Sequence, residues 1–289
     1  MPIKVMILGS SGMAGHVLTL MLREDPSAYE VIDVSRSASA IMPAYILDVT
    51  DFSRLNSLIE TMRPDVIVNC IGVLNKFAED HPDQAILINS YLPHFLESKA
   101  KESSTKIIHI STDCVFNGKR GNYTEMDFKD GIGLYAQSKA LGEIINRKDL
   151  TIRTSIIGPE LKNGIGLFHW FSQQDGKIKG YTQAFWTGVT TIELAKAIKA
   201  AIRENIAGLY QLVYHEKIAK YDLLCLLARK FNHGVQIDVE ESYMVDKSLM
   251  NTRDDFSYQV PSYDQMIEEM RKWIIQHQEI YPSYRNLLA

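Results

Sequence analysis

Cysteine is scarce in this chain. Cys70, Cys114 and Cys225 are the only three in 289 residues, widely spaced and without a CxxC pair. An odd, scattered set of thiols argues against a secreted disulfide framework and against a cysteine-built zinc site. A dominant charge is missing as well. Lys plus Arg total 31 against 35 Asp plus Glu, a formal net charge of −4, so neither a polyanion-binding face nor an acidic tail is implied and no nucleic-acid partner is expected. Long apolar runs are also missing. The opening MPIKVMILGSSGMAG holds a short apolar run broken by glycine, too brief for a signal-peptide core, and nothing approaches the roughly 18 residues of a spanning helix. His81, His94, His109 and His169 lack metal-ligand spacing and read as satisfied surface or core histidines, so no metal is expected. The expectation is a soluble, cytoplasmic protein that leaves membranes alone.

What is present is an ordinary globular composition, 46% hydrophobic and 23% charged. At about 150 residues per domain the length allows one or two domains, and a chain this long buries a full core without staples. Short apolar runs at Ile3 to Leu8, Val31 to Ser35, Ala44 to Asp48, Val66 to Ile71, Lys106 to Ser111 and Leu150 to Ser155 alternate with helical stretches. Among the helices, Pro82 to Lys101 has proline in its first turn and Leu134 to Asn146 is a second clear case. Runs buried on both faces and separated by helices indicate βαβ units around a parallel sheet. After Gly158-Pro159 the rhythm changes. Residues 162–188 are rich in Gly, Gln and aromatics, which suits a pocket wall, and 216–289 reads as mostly helical. The predicted fold is α/β, a Rossmann-type doubly wound sheet from 1–157 and 185–215. A smaller, mostly helical carboxyl-terminal substrate lobe is expected from 158–184 and 216–289.

Gly9-Ser10-Ser11-Gly12-Met13-Ala14-Gly15 spells GxxGxxG between a strand and a helix. Glycines there allow a tight turn, close approach of backbone to a pyrophosphate and close helix–strand packing, while the helix amino terminus offers free N–H groups. A dinucleotide site is the expectation, with Gly9, Ser11, Gly12, Met13 and Gly15 on the cofactor. The second strand ends in Ser35 and Arg36 instead of an acidic residue. A hydroxyl and a guanidinium suit a 2′-phosphate, so NADPH is expected ahead of NADH; a solvated loop arginine is the plain alternative. Asp48 and Val49, ending the third strand, can hold an adenine edge or can cap a helix.

Tyr135-Ala136-Gln137-Ser138-Lys139 places a phenol and an amine on one helical face at i, i+4. Moving a phenol from about 10 to about 7 takes roughly 4 kcal/mol. An ammonium about 4 Å away supplies that order at an effective dielectric of about 20. Ile110-Ser111-Thr112-Asp113 ends a strand where ligands of open α/β sheets bind; Thr112 can orient a carbonyl and Asp113 a substrate. A second match, Tyr243 to Lys247, follows no comparable strand and reads as chance.

Together the glycine turn, Ser111-Thr112-Asp113-Cys114-Val115-Phe116-Asn117-Gly118, Tyr135-x-x-x-Lys139 and Gly158-Pro159 resemble the extended short-chain dehydrogenase/reductase superfamily. Within it, the chain is similar to the dTDP-4-dehydrorhamnose reductase branch, strongly from 3 to 159 and weakly after 215. The resemblance implies NAD(P)H-dependent reduction of the 4-keto group of a nucleotide-linked deoxysugar, for sugar-nucleotide and polysaccharide biosynthesis. It implies Thr112, Tyr135 and Lys139 as the catalytic triad, with Tyr135 and Lys139 also on the cofactor. Val73 is implied at the nicotinamide–sugar junction, beside Leu74, and Asn89 as a structural residue; a homodimer is a family expectation. Trp186 is expected to stack on sugar or base, or else to fill the lobe core. Cys114 stands where related 4,6-dehydratases carry glutamate, which disfavours dehydration. The segment Tyr181 to Thr191 departs from the branch's usual wording, leaving the sugar open. An alternative from the same branch is an NADP-binding regulatory subunit of the methionine adenosyltransferase beta type, without turnover.

Overall fold

The computed structural model describes residues 1–162 and 164–287; positions 163, 288 and 289 of the expected lobe lie outside them. The first half runs β1 (Ile3–Leu8), α1 (Met13–Arg23), β2 (Tyr29–Ser35), β3 (Tyr45–Ile46), α2 (Phe52–Met62), β4 (Val66–Asn69), α3 (Asn75–Asp80), α4 (Pro82–Ala85), α5 (Leu92–Ala100), β5 (Lys106–Thr112) and α6 (Leu134–Leu141). The second half runs β6 (Leu150–Thr154), β7 (Ile156–Ile157), α7 (Leu167–Ser172), β8 (Lys177–Tyr181), β9 (Ala184–Trp186), β10 (Val189–Thr190), α8 (Thr191–Arg203) and β11 (Gly208–Gln211). It finishes with β12 (Ile218–Ala219), α9 (Lys220–Lys230), β13 (Gln236–Glu240), β14 (Val245–Asp246) and α10 (Tyr263–Gln276).

Seven strands form one parallel sheet in the order β11-β6-β5-β4-β1-β2-β3. The order reverses between β1 and β4, the switch point where a doubly wound sheet opens a crevice at its strand carboxyl ends. Alternation along β1 explains why its sequence is a continuous apolar run. Val5 and Ile7 enter one buried cluster with α1 and α8, while Met6 and Leu8 enter the cluster on the opposite face.

Helix Pro82 to Lys101 is helical throughout, yet its middle, Ile86–Tyr91, is a π-helix. Pro93 has no N–H to give to the Asn89 carbonyl, so the regular ladder breaks there. Gly142 packs against the same carbonyl: a Cβ on it would sit 1.9 Å from Asn89 O. That glycine also ends α6 at Leu141, short of the predicted Asn146.

Helices α7, α9 and α10 make up most of the regular structure of the lobe, as expected, and short strands join them. Strand β13 pairs with β8, and β9 lies between β12 and β14, so Ala184–Trp186 pairs with lobe strands and not with the large sheet. Strands of two to five residues carry too little periodicity to be read without their partners. Among the described residues no helix is long and apolar enough to cross a membrane.

Candidate active site

Gly9 ends β1 at φ +84°, and the N–H groups of Gly9 and Ser10 donate to Val34 O at 2.9 and 3.0 Å. Gly12 N–H turns back to Gly9 O at 2.9 Å. A Cβ at Gly15 would lie 2.2 Å from Gly9 O, so only glycine lets α1 ride this closely on the turn. No side chain caps α1 at Gly12, which leaves its first-turn N–H groups and positive dipole end available to an anion.

Beside this turn lies a cavity of about 600 Å³ lined by Gly9, Ser11, Gly12, Ser35, Arg36, Asp48, Val49 and Val73. The Ser11 and Ser35 hydroxyls are hydrogen-bonded, and Ser35 donates on to Ser37 O. Arg36 is exposed at the rim. Asp48 accepts from Thr50 N and Thr50 Oγ1, and these bonds, with Arg36 nearby, hold its carboxyl below the usual range. It therefore both lines the cavity and braces the approach to α2. Asp33, by contrast, is buried against Arg23 at 2.7 Å and takes no part.

A second cavity of about 470 Å³ is lined by Met13, Thr112, Asp113, Tyr135 and Lys139. The two share Gly12, Cys70, Ile71, Gly72, Leu74 and Ile165, and so form one cleft across the ends of β1, β4 and β5. Val73 is tied to the adjoining helix by Asn89, whose Oδ1 accepts from Val73 N at 2.8 Å and whose Nδ2 donates to Val73 O at 2.9 Å and to Ser138 Oγ at 3.1 Å.

Thr112 and Tyr135 meet within this cleft. Tyr135 and Thr112 line the same cavity, and Thr112 Oγ1 donates to Asp113 Oδ1 at 3.0 Å. Burial pushes Tyr135 well above its ordinary value, as do Cys114 and Asp113. The expectation from spacing was the opposite, a phenol pulled down by Lys139. The amine spends its hydrogen bonds elsewhere, on Ile110 O at 2.6 Å and at 3.2 Å from His109 Nε2. Lys139 itself is lowered to about 8, chiefly by burial. Burial likewise raises Asp113, and raises Cys114 to about 11 with help from Asp113.

Trp186 is placed elsewhere. It is buried with its ring 5.7 Å from that of Tyr263, in the packing between β9 and α10, and it lines neither cavity. The core alternative applies because Gly188 and Tyr263 enclose the indole. One residue that the sequence did not single out joins the site, and one that it set aside lies close by. Glu160 lines the second cavity and accepts from Ile165 N and Gly166 N at 3.3 and 2.8 Å, shaping the wall that composition assigned to 162–188. Lys247, set aside with the second YxxxK match, is near enough for its charge to act on Asp113 and Cys114, opposing the rise that burial causes in both. It is delivered by the pairing of Tyr123 with Leu249, which no local spacing encodes.

The carboxyl-terminal segment reaches back to the glycine turn. Trp273 Nε1–H donates to Tyr281 Oη at 3.0 Å, Tyr281 lies 2.6 Å from His16 Nε2, and His16 Nδ1 lies 2.8 Å from Gly12 O. For a neutral ring only one assignment satisfies all three: the Tyr281 hydroxyl donates to Nε2, and Nδ1–H donates to Gly12 O. Burial lowers His16 to about 4, so the ring stays neutral and this polarity holds.

Comparison with known proteins agrees with this architecture. A dTDP-4-dehydrorhamnose reductase of Aggregatibacter actinomycetemcomitans is 31% identical over 158 residues, covering 53% of this chain and 51% of that one. The chain thus spans about half the length of that relative. Methionine adenosyltransferase 2 subunit beta of Xenopus tropicalis is 22% identical, covering 79% of this chain and 72% of that one. The crystal structure of dTDP-4-dehydrorhamnose reductase from Bacillus anthracis, in complex with NADP, superposes with a TM-score of 0.80 at 22% identity, covering 95% and 99% of the two chains. The family model described as RmlD substrate binding domain matches residues 3–249, and with the fold and cleft above it identifies the chain as a member of that family.

Proposed function

We propose that the protein is an NADPH-dependent reductase of the 4-keto group of a nucleotide-linked deoxysugar. The observation that carries this reading is the convergence of Thr112, Tyr135 and Lys139 on a cleft continuous with the glycine turn. The cleft fits the cofactor: an uncapped helix end and a glycine cradle suit the pyrophosphate, and Ser35 and Arg36 suit a 2′-phosphate. Bound NADPH supplies the hydride. The chain's own work is then positioning and proton donation. Tyr135, held protonated by burial, donates its phenolic proton to the carbonyl oxygen; Thr112 orients that oxygen; Lys139 holds the cofactor ribose; Asp113 orients the sugar. At neutral pH Cys114 is a protonated thiol, unfit as the base a 4,6-dehydratase needs, which favours reduction over dehydration. The proposed setting is the cytoplasm, in keeping with three free cysteines, and the proposed quaternary state is a homodimer.

The test is NADPH oxidation against a panel of dTDP-, UDP- and GDP-linked 4-keto sugars. Turnover of one of them supports the reading. Tight NADPH binding with silence across the panel favours instead the alternative that the resemblance implies, an NADP-binding regulatory subunit without turnover.

Two further outcomes follow from the cofactor half of the cleft. Arg36→Ala is expected to lower the preference for NADPH over NADH by about 10- to 100-fold, the worth of charge-assisted hydrogen bonds to a phosphate. An unchanged kcat/KM ratio for the two cofactors defeats the assignment. Tyr281→Phe removes the hydroxyl between Trp273 and His16, and the NADPH Kd should rise about 3- to 10-fold. Fluorescence titration reads this; a Kd equal to wild type means the carboxyl-terminal segment does not set the turn.

A further inference from the structure

Behind Lys139, away from the cleft, lies a buried polar line that the proposed chemistry does not use. Asn69, at the end of β4, and His109, on β5, are both fully buried neighbours in register. Asn69 Nδ2 is 3.2 Å from His109 Nδ1, and His109 Nε2 is 3.2 Å from Lys139 Nζ. Lys139 Nζ also donates to Ile110 O at 2.6 Å.

The protons in this line are determined by one backbone group. Ile71 N–H, 3.1 Å from Asn69 Oδ1, can only donate, so that side of the amide must be its carbonyl oxygen. The NH₂ side therefore faces His109. It can only donate too, so Nδ1 must be the bare, accepting nitrogen. A neutral imidazole then carries its single proton on Nε2, pointing at Lys139 Nζ. An amine offers a lone pair to that proton while still donating to Ile110 O. An ammonium offers only protons and meets Nε2–H head-on.

We propose that Asn69 and His109 are positioning residues for Lys139: Asn69 sets the His109 tautomer, and the resulting Nε2–H holds Nζ at the Ile110 carbonyl and favours its amine form. Restoring the fit for an ammonium requires the proton on Nδ1 and a rotated Asn69 amide, which strands Ile71 N–H without its acceptor. In a site this deeply buried such an orphan is costly.

Other charges face the amine and set the balance. Glu143, four residues on from Lys139, favours the ammonium, whereas burial raises the Cys70 thiol, after β4, to about 12, so it stays neutral and adds no charge. Glu143 is itself bound by Arg153 from β6 and by Lys129, which blunts its pull. His109 faces Lys139 and, from α5, His94; burial above all keeps the imidazole neutral. Desolvation and the tautomer thus act in the same direction on Lys139.

This inference rests on the reductase reading only for its meaning, since a Lys139 that changes charge near neutrality makes turnover fall on the alkaline side. Its tests need no turnover. In ¹⁵N-labelled protein at pH 9, two-bond ¹⁵N–¹H correlation of the His109 ring should show the proton on Nε2. A proton on Nδ1, or a doubly protonated ring, overturns the proposal. In the second test, ¹³Cε of Lys139 is titrated by NMR in wild type and in His109→Gln, whose amide can turn its carbonyl oxygen to the ammonium. The midpoint should rise by about one pH unit, equivalent to about 1.4 kcal/mol. An unmoved midpoint in a folded variant also overturns it. If both tests succeed while the sugar panel stays silent, the positioning stands and the reductase reading fails.

Discussion

Replacing Tyr135 by phenylalanine should lower kcat by about 10²- to 10⁴-fold, the usual worth of a positioned proton donor. Tyr135 lines the second cavity together with Thr112, and the substitution removes one oxygen while keeping the ring. NADPH affinity should change little, because the glycine turn, Ser35 and Arg36 lie in the other half of the cleft. Stopped-flow reduction gives the rate and fluorescence titration gives the Kd. A variant that retains near-normal kcat removes Tyr135 from the chemistry. The pH profile adds a check. Burial raises Tyr135, so the phenol stays protonated through the neutral range, while Lys139 loses its proton near 8. The alkaline fall in kcat should therefore track Lys139 and lie near pH 8, well below a free phenol.

The largest expected effect on stability comes from Arg153→Met. Arg153 lies on β6, between β5 and the edge strand β11, on a strand buried throughout, with its side chain 1% exposed. Its Nε and an Nη donate to the two carboxylate oxygens of Glu143 at 2.9 and 2.8 Å, and Ser111 Oγ donates to the same group at 2.7 Å. The guanidinium also lies over the Phe116 ring at 5.0 Å. Removing Arg153 leaves the buried Glu143 carboxylate with only Lys129 and the Ser111 hydroxyl as partners, at a cost approaching the roughly 3–5 kcal/mol of a broken buried pair. Urea unfolding should show that loss, and Arg153→Met with Glu143→Leu should be more stable than Arg153→Met alone. A single-variant loss below about 1 kcal/mol would refute the pair's importance. The sign with pH follows from Glu143. Burial raises its carboxyl, but Arg153, Lys129 and Ser111 together outweigh burial and hold it below the ordinary range. A depressed carboxyl stabilises the fold fully above its unfolded value of about 4.3, and this is lost as pH falls through the folded value. Acid unfolding of Arg153→Met should begin at higher pH than in wild type.

The parts of the site that were legible in the sequence are those whose partners are close along the chain. Gly9, Gly12 and Gly15 act within one turn, and Tyr135 and Lys139 within one helical repeat; local geometry relates them before any tertiary contact forms. Thr112 was legible because strand ends of a doubly wound sheet are where ligands bind. Trp186 was ambiguous because an indole suits a sugar face and a lobe core equally well, and only Tyr263, delivered by α10, decides between them. The downward pull expected on Tyr135 failed for a related reason. Spacing on a helix says that an amine is near, but not that Ile110 O and His109 hold it.

By itself the sequence determined the alternation of strands and helices, the phosphate turn and the residues that carry the proposed chemistry, because each rests on periodicity or on spacing within a few residues. Only the tertiary structure decided that Lys247 comes near Asp113, that Tyr281 braces Gly12 through His16, that Arg153 answers Glu143, and that Asn69 meets His109. Those pairings depend on strand order and on the return of the lobe over the sheet. Hydrogen bonds and ion pairs between residues far apart in the chain exist only once the backbone has already brought their elements together.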